Sequence, residues 1–281
     1  MPLAQLMTAE QLAARLQQPN LRVLDCRFAL EDRDYGARSY AEAHIPGACF
    51  LDLERDLSGE VIPGRTGRHP LPPASQLLAR LQACGLQPDS AVVLYDDGPG
   101  AFAARAWWLL AWLGKRDGVY LLDGGLRAWR DADLPLTAVK AEPALGHFTG
   151  QPDDSLVINA EQLLQHLDDP QQTLLDARAP PRFLGKVEPI DPVAGHIPGA
   201  ICAPFTDNLD SNSRFLPVEQ LRSRFSGLLQ DRPADRVVGY CGSGVTACHN
   251  LFAMRLAGLP LARLYPGSWS EWITDPDRPI A

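Results

Sequence analysis

Apolar positions recur along this chain in two periods, and the switches between them lay out its elements. Thr8-Ala9-Glu10-Gln11-Leu12-Ala13-Ala14-Arg15-Leu16 has helical spacing, with Thr8 as the expected N-cap and Gln11 at the capping-box position. Leu21-Arg22-Val23-Leu24-Asp25-Cys26-Arg27 alternates as a strand does and ends in Asp-x-Arg. A polar segment leads to His44-Ile45-Pro46-Gly47-Ala48, and Pro- and Gly-rich loops follow. Next come a helix predicted over 75–84, the unbroken apolar run Ala91-Val92-Val93-Leu94-Tyr95, a helix with Trp107 and Trp108, and the strand Val119-Tyr120-Leu121-Leu122. Short apolar runs alternating with helical patterns predict an α/β fold, each sheet mainly parallel and covered by helices on both faces.

Most of this pattern then returns. Asp176-Ala177-Arg178 answers Asp25 to Arg27 at an offset of 151 residues, and His196-Ile197-Pro198-Gly199-Ala200 repeats His44 to Ala48 identically at 152. Val237 to Tyr240 answers Val92 to Tyr95 at 145, and Gly267 to Trp272 answers Gly124 to Trp129 at 143. Four motifs at near-constant, domain-sized offsets mean tandem duplication of one domain. The expected layout is a first domain over 1–140, a linker over 141–155 without periodicity, and a second domain over 156–281.

Composition narrows the classes. With 46% hydrophobic and 21% charged residues the chain is an ordinary globular protein. A net charge of −8 argues against a nucleic-acid surface. The most apolar window, Ala101 to Leu113, contains Arg105 and is too short to span a bilayer, so no membrane partner is expected. Met1 to Glu10 has neither a basic n-region nor a long apolar h-region, and the expected location is the cytoplasm. The six cysteines (26, 49, 84, 202, 241 and 248) form no Cys-x-x-Cys pair and no zinc spacing with histidine, so free thiols and no metal are expected.

One cysteine stands apart. Val237-Val238-Gly239-Tyr240-Cys241-Gly242-Ser243-Gly244-Val245-Thr246-Ala247-Cys248 delivers Cys241 from a strand's end into a Gly-rich loop, with a helix predicted over 247–256. Unpaired N–H groups and the positive end of a helix dipole favour an anion on sulfur there. A free thiol titrates near about 8.5, and such positions can bring it to about 7 or below. Gly242 and Gly244 let the backbone curl round the sulfur. In the first copy the matching position is Asp96, which predicts a catalytic second domain and a non-catalytic first one. Cys248, two helical turns on, reads as a buried apolar contact.

The paired Asp-x-Arg, His-Ile-Pro-Gly-Ala and closing Gly-x-x-x-x-Trp motifs, with cysteine in the second copy only, resemble the tandem rhodanese-domain sulfurtransferases over nearly the whole chain. The loop Cys241 to Ala247 is similar to that of the 3-mercaptopyruvate branch, because Gly242 and Ser243 stand where thiosulfate-preferring relatives tend to carry basic residues. The resemblance implies that Cys241 takes sulfur from 3-mercaptopyruvate as a persulfide, releases pyruvate, and passes the sulfur to a thiol such as thioredoxin or glutathione, or to cyanide, without metal or organic cofactor. It further implies substrate binding by the loop residues Gly242, Gly244, Val245 and Thr246, and by Arg182 through the substrate carboxylate. Ser243 would handle protons with a histidine matched to His44 and an aspartate matched to Asp34 ahead of Asp32. A second arginine about nine residues beyond Arg182 is part of that pattern. Here the chain reads Glu188-Pro189-Ile190-Asp191, which weakens the expected carboxylate clamp.

Three alternatives share the scaffold. Thiosulfate could be the donor, or the protein could be a persulfide carrier or redox module with little turnover. Cysteine phosphatases with Cys-x5-Arg share the topology, but position 247 is alanine, which leaves the phosphoryl oxygens without a guanidinium.

Overall fold

The structure, a computed structural model, describes residues 4–281. Met1-Pro2-Leu3, the head of the N-terminal stretch read above, lie outside the described residues. The chain divides into two compact units: the first holds the chain up to Gly59, Pro72–Pro152 and Asp210–Phe215, and the second holds Glu60–Leu71, Asp153–Leu209 and Leu216–Ala281. Each unit therefore keeps a short segment that belongs by sequence to the other half.

The first unit runs β1 (Gln5–Met7), α1 (Ala9–Ala13), β2 (Leu21–Asp25), α2 (Tyr35–Glu42), β3 (Ala48–Phe50), α3 (Ala74–Ala83), β4 (Ala91–Tyr95), α4 (Ala101–Trp112), β5 (Val119–Leu122) and α5 (Gly125–Asp131). Its five strands pair in parallel in the order β1-β5-β4-β2-β3. The second unit runs α6 (Ala160–Gln165), β6 (Thr173–Asp176), α7 (Pro180–Phe183), β7 (Ile201–Cys202), α8 (Val218–Leu229), β8 (Val237–Tyr240), α9 (Thr246–Leu256), β9 (Arg263–Leu264) and α10 (Ser268–Trp272). Its sheet, also parallel, has the order β7-β6-β8-β9, which is the first unit's order without β1. A lone parallel bridge, Val157 to Leu264, stands where β1 stands in the first sheet. The central strands β4 and β8 are buried almost throughout, as their unbroken apolar runs require.

The expected capping box at α1 is present: Thr8 Oγ1 accepts from Gln11 N at 3.3 Å, and Gln11 Oε1 accepts from Thr8 N at 3.0 Å. The helix predicted over 75–84 is α3, shifted by one residue.

The repeated motifs are fold devices. Asp25 takes Arg27 through bonds of 2.7–3.0 Å, and Arg27 reaches on to Ala43 O at 2.8 Å. Tyr95, its register partner on β4, donates its hydroxyl to Asp25 at 2.6 Å and accepts from Ile45 N. Asp176, Arg178, Gly195 O, Tyr240 and Ile197 N repeat the arrangement in the second unit. Burying two opposite charges is tolerable only when both are paired and hydrogen-bonded, and here each pair clips the loop before β3 or β7 to its sheet. The closing tryptophans tie down the segments that follow them, Trp129 donating to Pro135 O and Trp272 to Pro279 O, both at 2.9 Å.

Candidate active site

The site begins where β8 ends. Cys241 is buried, and its backbone is pinned on both sides: its N–H donates to Ser268 Oγ at 3.1 Å, and its carbonyl accepts from Trp269 N at 3.0 Å. Gly242 O accepts from Ser270 N at 2.9 Å. The loop then turns through Gly244, whose φ of +77° and closeness to Pro266, with an added Cβ only 2.4 Å from the carbonyl, make glycine a requirement there. Val245 and Thr246 open α9, and the Ser243 N–H is directed at Cys241 Sγ at 3.5 Å. Cys248 is buried on α9 and its thiol donates to Gly244 O at 3.3 Å, bracing the loop from behind.

The first unit shows what becomes of the same cradle without the thiol. Asp96, after β4, is buried, and its carboxylate accepts from the amides of Gly98, Gly100, Phe102 and Ala103 at 2.9–3.4 Å. Burial pushes its carboxyl up from the ordinary value, and those four amides oppose the shift. A side-chain anion thus fills the anion site at the start of α4, which suits that copy's expected silence.

Of the residues expected beside Cys241, the structure has Gly242, Ser243, Gly244, Val245, Thr246 and Arg182 in the second unit, and it has His44 and Asp34 in the first, each with other partners. His69 is the histidine that reaches Ser243, Nδ1 to Oγ at 2.8 Å, both groups buried. His44 is fully buried in the first unit, with Nδ1 at 2.6 Å from Tyr40 O, Nε2 at 3.1 Å from Val139 O, and its ring stacked on Tyr40. His196 sits likewise on Phe183. The shared histidine therefore serves the duplicated fold. Asp34 is exposed in the first unit and pairs with Arg55 at 3.3 Å.

His69 arrives on Glu60–Leu71, the segment that joins the second unit, and so does Arg68. Arg68 N donates to Ser270 Oγ at 3.1 Å, and its guanidinium pairs with Asp191. Asp191 also accepts from Arg182 Nη2 at 3.1 Å, while Glu188 accepts from Arg182 Nε and Nη2 at 2.6–3.1 Å. Both acids are tied in, with opposite results. Burial raises Asp191 above its ordinary value against the pull of Arg68, whereas at Glu188 hydrogen bonds from Arg182 and from two amides overcome burial and lower it.

The two guanidiniums converge over Gly242: a Cβ built there would lie 2.8 Å from Arg68 Nη2 and 3.6 Å from each Nη of Arg182. The acid that stood where a second arginine was expected holds a different arginine beside the first. Arg68 and His69 lie in a Gly/Pro-rich stretch without periodicity, which gives them no local signal in the sequence. A signal was available in Arg214-Phe215, a similar dipeptide in the other half, which the first unit takes up in exchange.

A cysteine loop between a parallel strand and a helix, present in one of two copies of an α/β unit, defines a class of duplicated proteins with a single such thiol. Residues 8–132 and 159–275 match the family described as "Rhodanese-like domain", and the chain belongs to that family. It is 70% identical over 99% of its length, and 98% of the relative's, to a Pseudomonas aeruginosa protein named "Probable 3-mercaptopyruvate sulfurtransferase". It is 43% identical, over 98% of its own length and 96% of the relative's, to the Mycobacterium tuberculosis protein SseB, named as a candidate thiosulfate sulfurtransferase. Among solved structures, the 3-mercaptopyruvate sulfotransferase SseA of Escherichia coli superposes with a TM-score of 0.82 at 32% identity, covering 95% of this chain and all of that one.

Proposed function

We propose that this protein is a sulfurtransferase that takes sulfur from 3-mercaptopyruvate. The observation that carries the reading is the convergence on one loop of Cys241, the Ser243–His69 pair and the guanidiniums of Arg68 and Arg182. The Cys241 thiolate attacks the thiol sulfur of the substrate, forming an S–S bond. The C–S bond breaks, its electron pair passes to carbon as the enolate of pyruvate, and Ser243 and His69 deliver the proton that completes pyruvate. Arg68 and Arg182 hold the substrate carboxylate over Gly242, one residue from the sulfur. The loop from Gly242 through Gly244 and Val245 to Thr246 cradles the persulfide, with the Ser243 amide already directed at Sγ. An acceptor thiolate, of the thioredoxin or glutathione kind, or cyanide, then removes the outer sulfur and returns Cys241. The first domain, over 1–140, carries no nucleophile and lends Arg68 and His69 from its 60–71 segment, and the second, over 156–281, carries the rest of the chemistry.

The same two guanidiniums could hold the sulfonate of thiosulfate, and the SseB relative makes that donor the second reading. The ratio of kcat/KM for the two donors, with cyanide as common acceptor, is expected to favour 3-mercaptopyruvate by at least about tenfold, because Gly242 and Ser243 supply no further cation for the doubly charged thiosulfate, an effect of one charged contact. A ratio favouring thiosulfate overturns the donor assignment. A stable Cys241 persulfide with negligible multiple turnover favours a carrier.

No described helix is long and apolar enough to cross a membrane. A cytoplasmic location belongs to the same reading, supported by six free thiols.

The two histidines separate by variant. His69→Asn is expected to lower kcat by about 100-fold, the lower range for losing a positioned proton carrier, with the melting temperature little changed. His44→Asn breaks two buried hydrogen bonds, at about 1–3 kcal/mol. It should lower the melting temperature by several degrees and leave kcat/KM of the folded protein near wild type. Equal kcat losses in both would remove His69 from the proposed proton path.

A further inference from the structure

Five cysteines lie outside the loop just described, and two of them meet in the first unit. Cys49 is the central residue of β3 and Cys84 caps the C-terminus of α3. Each thiol is the largest influence on the other's titration. Both line one open cleft of about 360 Å³ together with Arg22, and Cys49 also lines a second of about 510 Å³ with Arg80 and Lys140. The basic groups are fixed beside the sulfurs: Arg22 donates to Gly85 O at 2.7 Å, next to Cys84, and Arg80 donates to Phe50 O, next to Cys49. The acids nearby are Asp56, paired with Arg80 at 3.2 Å, and Glu142 on the second cleft.

The surroundings divide the two thiols. The interaction with Cys84, with Arg80, Arg22 and Lys140 and against burial, brings Cys49 down, while Cys84 is pushed far up by the same interaction and by burial. Cys26, buried among Asp25, Asp96 and Asp56, is also pushed up, chiefly by desolvation. At neutral pH Cys49 thus has a thiolate share that these two lack, and a protonated thiol sits against it.

We propose that Cys49 and Cys84 form a separate modification site, a dithiol that reacts with a hydroperoxide entering by these clefts and closes into a disulfide. The Cys49 thiolate attacks the distal peroxide oxygen and the O–O bond breaks. An alcohol leaves with a proton, and Cys49 becomes a sulfenic acid. The Cys84 sulfur then attacks the Cys49 sulfur, the S–S bond forms, and the hydroxyl leaves as water with the Cys84 proton. The peroxide is reduced by two electrons and the dithiol oxidised by two. Two equivalents of a small thiol reverse the modification. Neither cysteine belongs to the loop around Cys241, and the reaction as written uses no sulfur donor.

The test uses the reduced full-length protein and tert-butyl hydroperoxide at pH 7, followed by N-ethylmaleimide blocking, digestion and mass spectrometry. The expected product is a linked peptide pair carrying Cys49 and Cys84, lighter by the two thiol hydrogens and abolished by dithiothreitol. In Cys84→Ser the reaction should stop at a Cys49 sulfenic acid that dimedone captures. Without any variant, peptide-resolved alkylation at pH 7 should modify Cys49 at least about tenfold faster than Cys26. Cys49 and Cys84 both remaining reduced while Cys241 or Cys202 oxidises, or Cys49 alkylating no faster than Cys26, overturns the proposal.

Discussion

Replacing Cys241 by serine is expected to remove pyruvate release from 3-mercaptopyruvate, lowering kcat by at least about a thousandfold, as loss of a covalent nucleophile does elsewhere. A hydroxyl is too weak an acid to supply an oxyanion under the Ser243 amide, and its oxygen cannot store sulfur as a persulfide. The backbone hydrogen bonds to Ser268 and Trp269 do not involve the sulfur, so the variant should fold with an unchanged circular dichroism spectrum and a melting temperature within a few degrees of wild type. Lactate dehydrogenase coupling follows the pyruvate, and mass spectrometry after donor treatment should find no added sulfur at position 241. Near-normal turnover by a folded Cys241→Ser protein would end the reading of Cys241 as the sulfur carrier.

Cys241 was legible because everything that makes it unusual is local. The apolar run that ends in it, the glycines that curl round it and the helix that follows all lie within about a dozen residues, and the α/β architecture follows from the same short-range periods. The duplication was legible for a different reason, since it compares the chain with itself. That comparison also marked the limit of His44. A histidine present identically in both copies belongs to what the copies share, and the structure finds it clamping a loop in each.

Arg68 and His69 are the opposite case. Their partners Asp191 and Ser243 lie 123 and 174 residues away, and no period connects them. The segment exchange supplies the logic. The second unit receives Arg68-His69 and holds Cys241, while the first receives Arg214-Phe215 and holds Asp96. Where the thiol is replaced by a carboxylate, the arriving histidine is replaced by phenylalanine. Phe215 N donates instead to Asp123 at 3.0 Å. Asp191 shows how an acidic residue misleads when read alone. Seen by itself it repels a substrate carboxylate; seen between Arg68 and Arg182, it draws together two cations that would otherwise repel each other.

Arg68→Ala is expected to raise KM for 3-mercaptopyruvate by about 10- to 100-fold with a smaller change in kcat, since a hydrogen bond to a charged group contributes about 1.5–3 kcal/mol. The split follows from the position of the guanidinium. It faces the space over Gly242, and a carboxylate held there as proposed is held in both ground state and transition state, so loss of the guanidinium removes binding common to the two. Arg68→Lys should recover only part of the loss, because an ammonium keeps the charge without the planar fork. Gly242→Ala is the independent check. Its Cβ would stand 2.8 Å from Arg68 Nη2, the mobile end of a long side chain, so the fold can yield there at small cost and the melting temperature should hold. The arginine is displaced nonetheless, and KM should rise in the direction of Arg68→Ala. The double variant should be little worse than Arg68→Ala alone, because both changes remove one contact. Fully additive losses, or a KM unmoved by Arg68→Ala, would leave the substrate carboxylate to Arg182 and reduce Arg68 to a counterion of Asp191.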